Sequence, residues 1–257
     1  MSASGSLEFL AVAATNADAR FAPIARSPLA GAAAAAGARF ESRDGWSVAV
    51  DFGNVAAERQ AITETVGFGD SSQLGKLELQ ASGEELAGIV AGACGGEAIP
   101  LQFGTATAER AVWWCPLTPS RVLALCPPAS TAGLRQRLEA AAAQATGAAS
   151  VTEVTTLYGA LTLAGPLAVE LFARFCALDL RPQSTPLRGL RPGSVARTPG
   201  LVLREGVDRY LALFGWALGE YVWSVVDDAA RHLGGRPVGA DALASGESQQ
   251  AEVGTGA

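Results

Sequence analysis

The chain has 257 residues, enough for one large domain or two small ones, and in either case for a sizeable core. Hydrophobic residues make up 49% and charged residues 17%, a balance that excludes a disordered chain. The net charge of −6, with no Lys/Arg stripe and Lys76 as the only lysine, argues against nucleic acid or an anionic membrane as partner.

In chain order, residues 1–26 read as a loosely ordered arm. Ser27-Pro28 opens a helix through the alanine run that Gly37 ends, because Ser suits an N-cap and Pro the first helical position. Residues 46–52 alternate as a strand, 54–65 form a helix with Asn54 as cap, and 67–70 form a turn. Residues 74–80 read as a half-buried strand, and Ser82 with Glu85 as a capping box for the next helix. A weak strand at 103–108 precedes a hairpin of 111–115 and 121–126. A helix follows at 131–145, then strands at 151–154 and 158–163 and a helix at 167–176. The Pro/Gly/Arg-rich stretch 181–200 reads as loop with at most one strand. A hairpin of 201–204 and 209–214, a last helix at 219–233 and a disordered tail over 244–257 complete the chain.

The strand–helix–hairpin–helix order occurs twice, about 80 residues apart, too long a period for a solenoid. Two split βαβ halves produce such an order. The predicted fold class is therefore α+β, built from two ferredoxin-like halves.

Chemistry-bearing residues are sparse. Cys94, Cys115, Cys126 and Cys176 form no CxxC pair and His232 is the only histidine, so neither a zinc site nor a serine hydrolase is expected. The cysteines read as buried reduced thiols of a cytoplasmic protein. Residues 1–19 lack Lys and Arg, so no signal peptide is expected, and no apolar run is long enough to span a membrane. Neither a GxxxxGK[ST] nor a GxGxxG loop occurs. Asp227-Asp228 and His232 fit the solvated face and end of a helix. In Trp113-Trp114, strand alternation puts one indole in the core; the other covers a helix or anchors an interface.

The segment Gly67-Phe68-Gly69-Asp70-Ser71-Ser72-Gln73-Leu74-Gly75-Lys76 resembles the signature of the glycine-cleavage T-protein superfamily, the folate-binding aminomethyltransferases. Trp46, Glu58-Arg59, Leu163-Ala164-Gly165-Pro166 and Arg209-Tyr210-Leu211 also match that pattern in order. The likeness extends over 27–243, in two halves of about 27–145 and 146–243. Cys176-Ala177-Leu178-Asp179-Leu180-Arg181-Pro182 is most similar to the gamma subunit of heterotetrameric sarcosine oxidase, which lacks the T-protein's C-terminal barrel.

The resemblance implies a folate-binding fold, tetrahydrofolate as ligand, flavoprotein oxidase subunits as partners and a place in one-carbon metabolism. It also exposes departures. Arg110-Ala111 falls where the family has its catalytic carboxylate, and neither residue can donate or accept that proton. Cys126 falls near the family's Asn and Leu211 at its pterin-binding Glu. The C-terminal arginines are missing from Gly239-Ala240-Asp241-Ala242-Leu243-Ala244. Trp113, Cys126, Tyr210 and Leu211 line the expected folate position, with no motif of this chain's own to hold the cofactor. The reading is an accessory subunit without catalytic residues or metal, docked through Trp113, Trp114, Arg188, Arg191, Arg197 and Trp216. A free-standing aminomethyltransferase and a ligand-binding regulator are the alternatives.

Overall fold

The computed structural model describes residues 23–244. Most of the predicted arm and nearly all of the predicted tail lie outside the described residues.

The chain begins with β1 (Ala25–Arg26), α1 (Ala30–Ala35), β2 (Arg39–Arg43), β3 (Trp46–Asp51) and α2 (Val55–Glu64). Next come β4 (Gly67–Asp70), β5 (Gly75–Gln80), α3 (Gly83–Ala93), β6 (Thr107–Glu109), β7 (Val112–Thr118) and β8 (Arg121–Cys126). Then α4 (Thr131–Ala142), β9 (Ser150–Glu153), β10 (Tyr158–Ala164), α5 (Ala168–Ala173), β11 (Leu190–Val195) and β12 (Thr198–Arg204) follow. The last elements are β13 (Arg209–Gly215), α6 (Gly219–Arg231) and β14 (Arg236–Pro237). No helix is long and apolar enough to cross a membrane among the described residues.

Three sheets result. A five-stranded antiparallel sheet runs β6-β7-β8-β5-β9, a six-stranded one β11-β12-β13-β10-β4-β14, and a small one β1-β3-β2. The two large sheets face each other across an apolar layer to which β7 and β8 contribute Cys115, Leu123 and Leu125, and β12 and β13 Leu203, Leu211 and Leu213. Outside the five-stranded sheet lie α3 and α4 on Leu77, Leu79, Trp114 and Val122. Outside the six-stranded sheet lie α1, α5 and α6 on Phe68, Leu161, Tyr210 and Phe214. The architecture is α+β with helix, sheet, sheet and helix layers.

Several expectations need correction. Residues 67–70 are a strand, β4, paired with β10 and β14. Their glycines mimic turn chemistry, yet serve close approach: a Cβ on Gly69 would lie 2.5 Å from the Val238 carbonyl oxygen. The 181–200 segment contains the hairpin of β11 and β12, turned at Ala196-Arg197 with both residues at positive φ. Pro192 is accepted because β11 is an edge strand. Residues 39–43, given no structure by pattern, form β2. Residues 25–26, assigned to the arm, pair with β3. Ser82 makes no capping bond to the helix backbone: its hydroxyl donates to Glu85, whose carboxylate also accepts from Thr146 Oγ1 (2.8 Å) and the Gly147 N–H (2.6 Å). The strand at 75–80 is buried on both faces through Leu79, since it lies between layers rather than at a surface.

Candidate functional site

A cleft opens on the helix side of the five-stranded sheet. The β6–β7 hairpin turns at Arg110-Ala111, both in the left-handed region (φ 49° and 62°), the pairing that a tight two-residue hairpin requires. Arg110 reaches Glu97 (3.3 Å) and Glu109 (3.7 Å) from this tip. Opposite, Arg137 of α4 donates its Nε to the Ala93 carbonyl at the end of α3 (3.1 Å). Between them lies a space of about 340 Å³, lined also by Cys94, Val112 and Trp114. Trp114 is 0% exposed, and its indole N–H has no acceptor among the described residues. Burial pushes the Cys94 thiol up, while Arg110 and Arg137 pull it the other way.

The residues assigned to the folate position do not converge. Trp113 and Leu211 border the layer between the sheets. Tyr210, one residue before Leu211 and so on the opposite face, is buried against Phe172 and donates its hydroxyl to the Leu180 carbonyl (3.3 Å). Cys126 belongs to the α3/α4 side, beside Thr131 (3.6 Å). The apolar residues of the inter-sheet layer are aliphatic side chains with Cys115 and the flanking Trp113, and burial pushes the Cys115 thiol far up. Arg110 and Ala111 sit on the hairpin tip, outside the strand. The strand that follows, Val112–Thr118, carries no carboxylate at any register.

Residues 29–248 match the GCVT N-terminal domain. The chain belongs to that family, within the glycine-cleavage T-protein superfamily. The fold is similar to that of a chain of heterotetrameric sarcosine oxidase from Corynebacterium sp. U-96, solved with pyrrole 2-carboxylate. The TM-score is 0.63 and the identity 22%, over 81% of this chain and 96% of that one. It is also similar to the glycine cleavage system aminomethyltransferase T of Bartonella henselae, with TM-score 0.69 and 17% identity, over 85% of this chain and 60% of that one. An aminomethyltransferase of Picosynechococcus sp. is 43% identical over 61 residues, which span 24% of this chain and 16% of that protein.

The signature segment of this GCVT domain runs from one large sheet to the other. Asp70 ends β4 and Lys76 lies in β5. Lys76 is fully buried, and its ammonium donates to the Ser72 (2.9 Å) and Leu74 (2.8 Å) carbonyls. Desolvation lowers its pKa to about 8, against the pull of Asp70. Asp70 is itself raised by burial, against hydrogen bonds from Ser27 and Ser72. Sequence reasoning used Lys76 only as a motif letter. The available signal was its standing as the sole lysine of the chain. Glu58 is buried too, its carboxylate accepting from the N–H groups of Phe52 (2.7 Å) and Gly239 (2.8 Å).

The arginines of 181–200 divide by role. Arg191 is spent on its own chain, donating to the Gly104 (3.1 Å) and Leu190 (3.0 Å) carbonyls. Arg188 and Arg197 are exposed, each at positive φ. Trp216 is half-buried, with its ring 6.3 Å from that of Trp46. His232 Nδ1 lies 2.7 Å from the Asp228 carbonyl oxygen, and Asp227 pairs with Arg231. The four cysteines are buried and unpaired. Among the described residues no three His, Cys, Asp or Glu side chains cluster as metal ligands.

Proposed function

We propose that this GCVT domain is an accessory, non-catalytic subunit of a folate-linked, sarcosine- or methylamine-type flavin oxidoreductase in cytoplasmic one-carbon metabolism. One observation carries the reading: the hairpin where the resemblance expects the catalytic acid offers Arg110-Ala111 and then a strand without a carboxylate. A shift of one residue backward reaches Glu109, which Arg110 already engages. Leu211 adds support, since its side chain offers a pterin ring no hydrogen-bond acceptor where the resemblance expects a carboxylate. The near-complete coverage of the sarcosine oxidase chain agrees with this role. The domain's two halves, 27–145 and 146–243, are read as related by pseudo-symmetry, with β5-β8-β7 of one sheet corresponding to β10-β13-β12 of the other. Flavoprotein oxidase subunits are the partners, and the Trp216 surface with the exposed Arg188 and Arg197 is the docking region. Trp113, Trp114 and Arg191 serve internal packing first.

Co-expression with flavin oxidase subunits from the same genome tests this. A stable complex that Trp216→Ala weakens is expected; elution of the chain alone beside folded partners refutes it. The segment shared with the Picosynechococcus aminomethyltransferase favours a second reading, a free-standing aminomethyltransferase. Tetrahydrofolate-dependent turnover by the isolated chain at rates of about 1 s⁻¹ or more would establish it instead.

A further inference from the structure

We propose that the end of the six-stranded sheet where segments 102–106, 179–191 and 204–209 meet docks an acidic segment of a partner protein, one that carries apolar side chains among its carboxylates. The proposal rests on the subunit reading and adds where, and by what chemistry, the partner is held. Backbone bonds bring the three segments together. Thr105 and Gly189 form an antiparallel bridge. The Arg188 carbonyl accepts the Ala106 N–H (2.8 Å), and the Arg188 N–H donates to the Arg204 carbonyl (2.9 Å). Each segment exposes one large apolar side chain: Phe103 is 63%, Leu187 52% and Val207 60% exposed. These are three of the six large hydrophobic side chains that stand open to solvent among the described residues. Single exposed apolar residues are ordinary on a soluble protein, whereas several gathered at one end mark a contact surface.

The charge at this end is opposite to that of the chain. Five arginines stand against three carboxylates over the three segments, in a chain of net charge −6. Asp179 is taken by Arg181 and Glu205 by Arg209. Arg204 is buried and donates to the carbonyls of Thr185 (2.9 Å), Gly206 (3.2 Å) and Val207 (2.7 Å). Arg191 is likewise spent on carbonyls. Arg188 is exposed and pairs with no carboxylate among the described residues. Asp208 is left to offset these three cations. A cationic face set with apolar side chains is complementary to carboxylates set among apolar ones. Arg188 also sits in the left-handed region (φ 65°), which Gly occupies without steric cost. The fold therefore keeps a guanidinium at this exposed position against the backbone preference.

The test measures binding of the full chain to the flavin oxidase subunits of the same genome, at low and at high salt. Phe103→Ala should weaken the complex roughly tenfold or more, the effect of truncating an interface anchor. Arg188→Gly should weaken it at low salt and flatten its salt dependence, while the Tm of the chain stays level or rises because Gly relieves the left-handed backbone. A complex that Trp216→Ala weakens but neither of these variants touches overturns docking at this end and leaves the subunit reading standing. An affinity indifferent to salt or to Arg188→Gly overturns the acidic partner. Absence of any complex overturns both readings, and self-association that Phe103→Ala abolishes would then make a second copy of this chain the occupant.

Discussion

The two helical faces of this domain pack differently although each backs one of the two large sheets. Behind the six-stranded sheet the core is aromatic: Phe68 meets Trp223 edge-on at 5.1 Å, and Phe172 meets Tyr210 at 5.7 Å. Behind the five-stranded sheet it is aliphatic and rich in alanine, with Trp114 as the one indole. Large rings fill the first face. The smaller side chains of the second, Ala93 among them, leave the cleft beside Trp114. Topology fixes which elements meet, and residue volume decides whether they close.

The sharpest way to break this comparison is to remove a ring. Trp223→Ala should cost about 3–5 kcal/mol in urea unfolding, because its space on the crowded face cannot collapse. Trp114→Phe should cost under about 1.5 kcal/mol, since most of the volume is kept and an unpartnered N–H is removed. Equal losses would show the two faces to be equally tight.

The turns from strand into helix give the next contrast. Gly165, between β10 and α5, has φ +132°, and a Cβ there would lie 2.5 Å from the Thr65 carbonyl oxygen and 2.9 Å from that of Ile62. Gly165→Ala should therefore cost roughly 3 kcal/mol or more, read as a fall in Tm. Gly83 opens α3, where a Cβ would meet the Pro119 carbonyl oxygen at 3.3 Å without a positive φ. Gly83→Ala should stay within about 0.5 kcal/mol of wild type, helix propensity offsetting the tight contact.

Lys76 holds the link between β4 and β5 through the Ser72 and Leu74 carbonyls, and its pKa of about 8 sets a pH signature. Below pH 8 the ammonium is charged in both folded and unfolded chains. Between there and the ordinary lysine value of about 10.4 only the unfolded chain holds the proton. Stability contributed by this group therefore rises with pH across that window. The buried thiols act oppositely, because the folded chain retains protons that the unfolded chain sheds above about pH 8.5. The wild-type curve mixes both. The difference between wild type and Lys76→Met isolates the lysine and should shift toward wild type by up to roughly 3 kcal/mol over the window. A flat difference would mean that the ammonium is not desolvated.

What was legible in the sequence follows the physics of each signal. Helices with strong periodicity or a cap, such as 54–65 and 131–145, appear within a few residues of their predicted bounds, and the paired strands of 111–126 and 201–214 appear as hairpins. The α+β class and the superfamily were readable because motif order survives divergence. β4 and β11 were not, since Gly67, Gly69, Pro192 and Gly193 carry turn chemistry in positions chosen for close approach or a sheet edge. The cleft was invisible, because it arises from Gly95, Arg110, Trp114 and Arg137 meeting across three elements. Arg110 was singled out for what it lacks, a carboxylate, rather than for the tip it occupies.

The smallest contrast concerns the two helix caps that the sequence treats alike. Asn54 and Ser82 both precede a helix and both are good cap residues. In the structure Asn54 Oδ1 accepts the Ala57 N–H at 3.0 Å, while Ser82 Oγ donates to Glu85 Oε2 at 3.1 Å and leaves the α3 backbone unsatisfied. Asn54→Ala should therefore cost about 1 kcal/mol, the usual worth of a cap that binds backbone. Ser82→Ala removes only an exposed side-chain bond and should cost a few tenths of a kcal/mol. Glu85→Ala should exceed Ser82→Ala, because Glu85 also holds the link from α4 to β9 through Thr146 and Gly147. Chemical denaturation of the three variants ranks them. A Ser82→Ala loss as large as that of Asn54→Ala would mean that Ser82 caps α3 in solution and that Glu85 is free to complete the box.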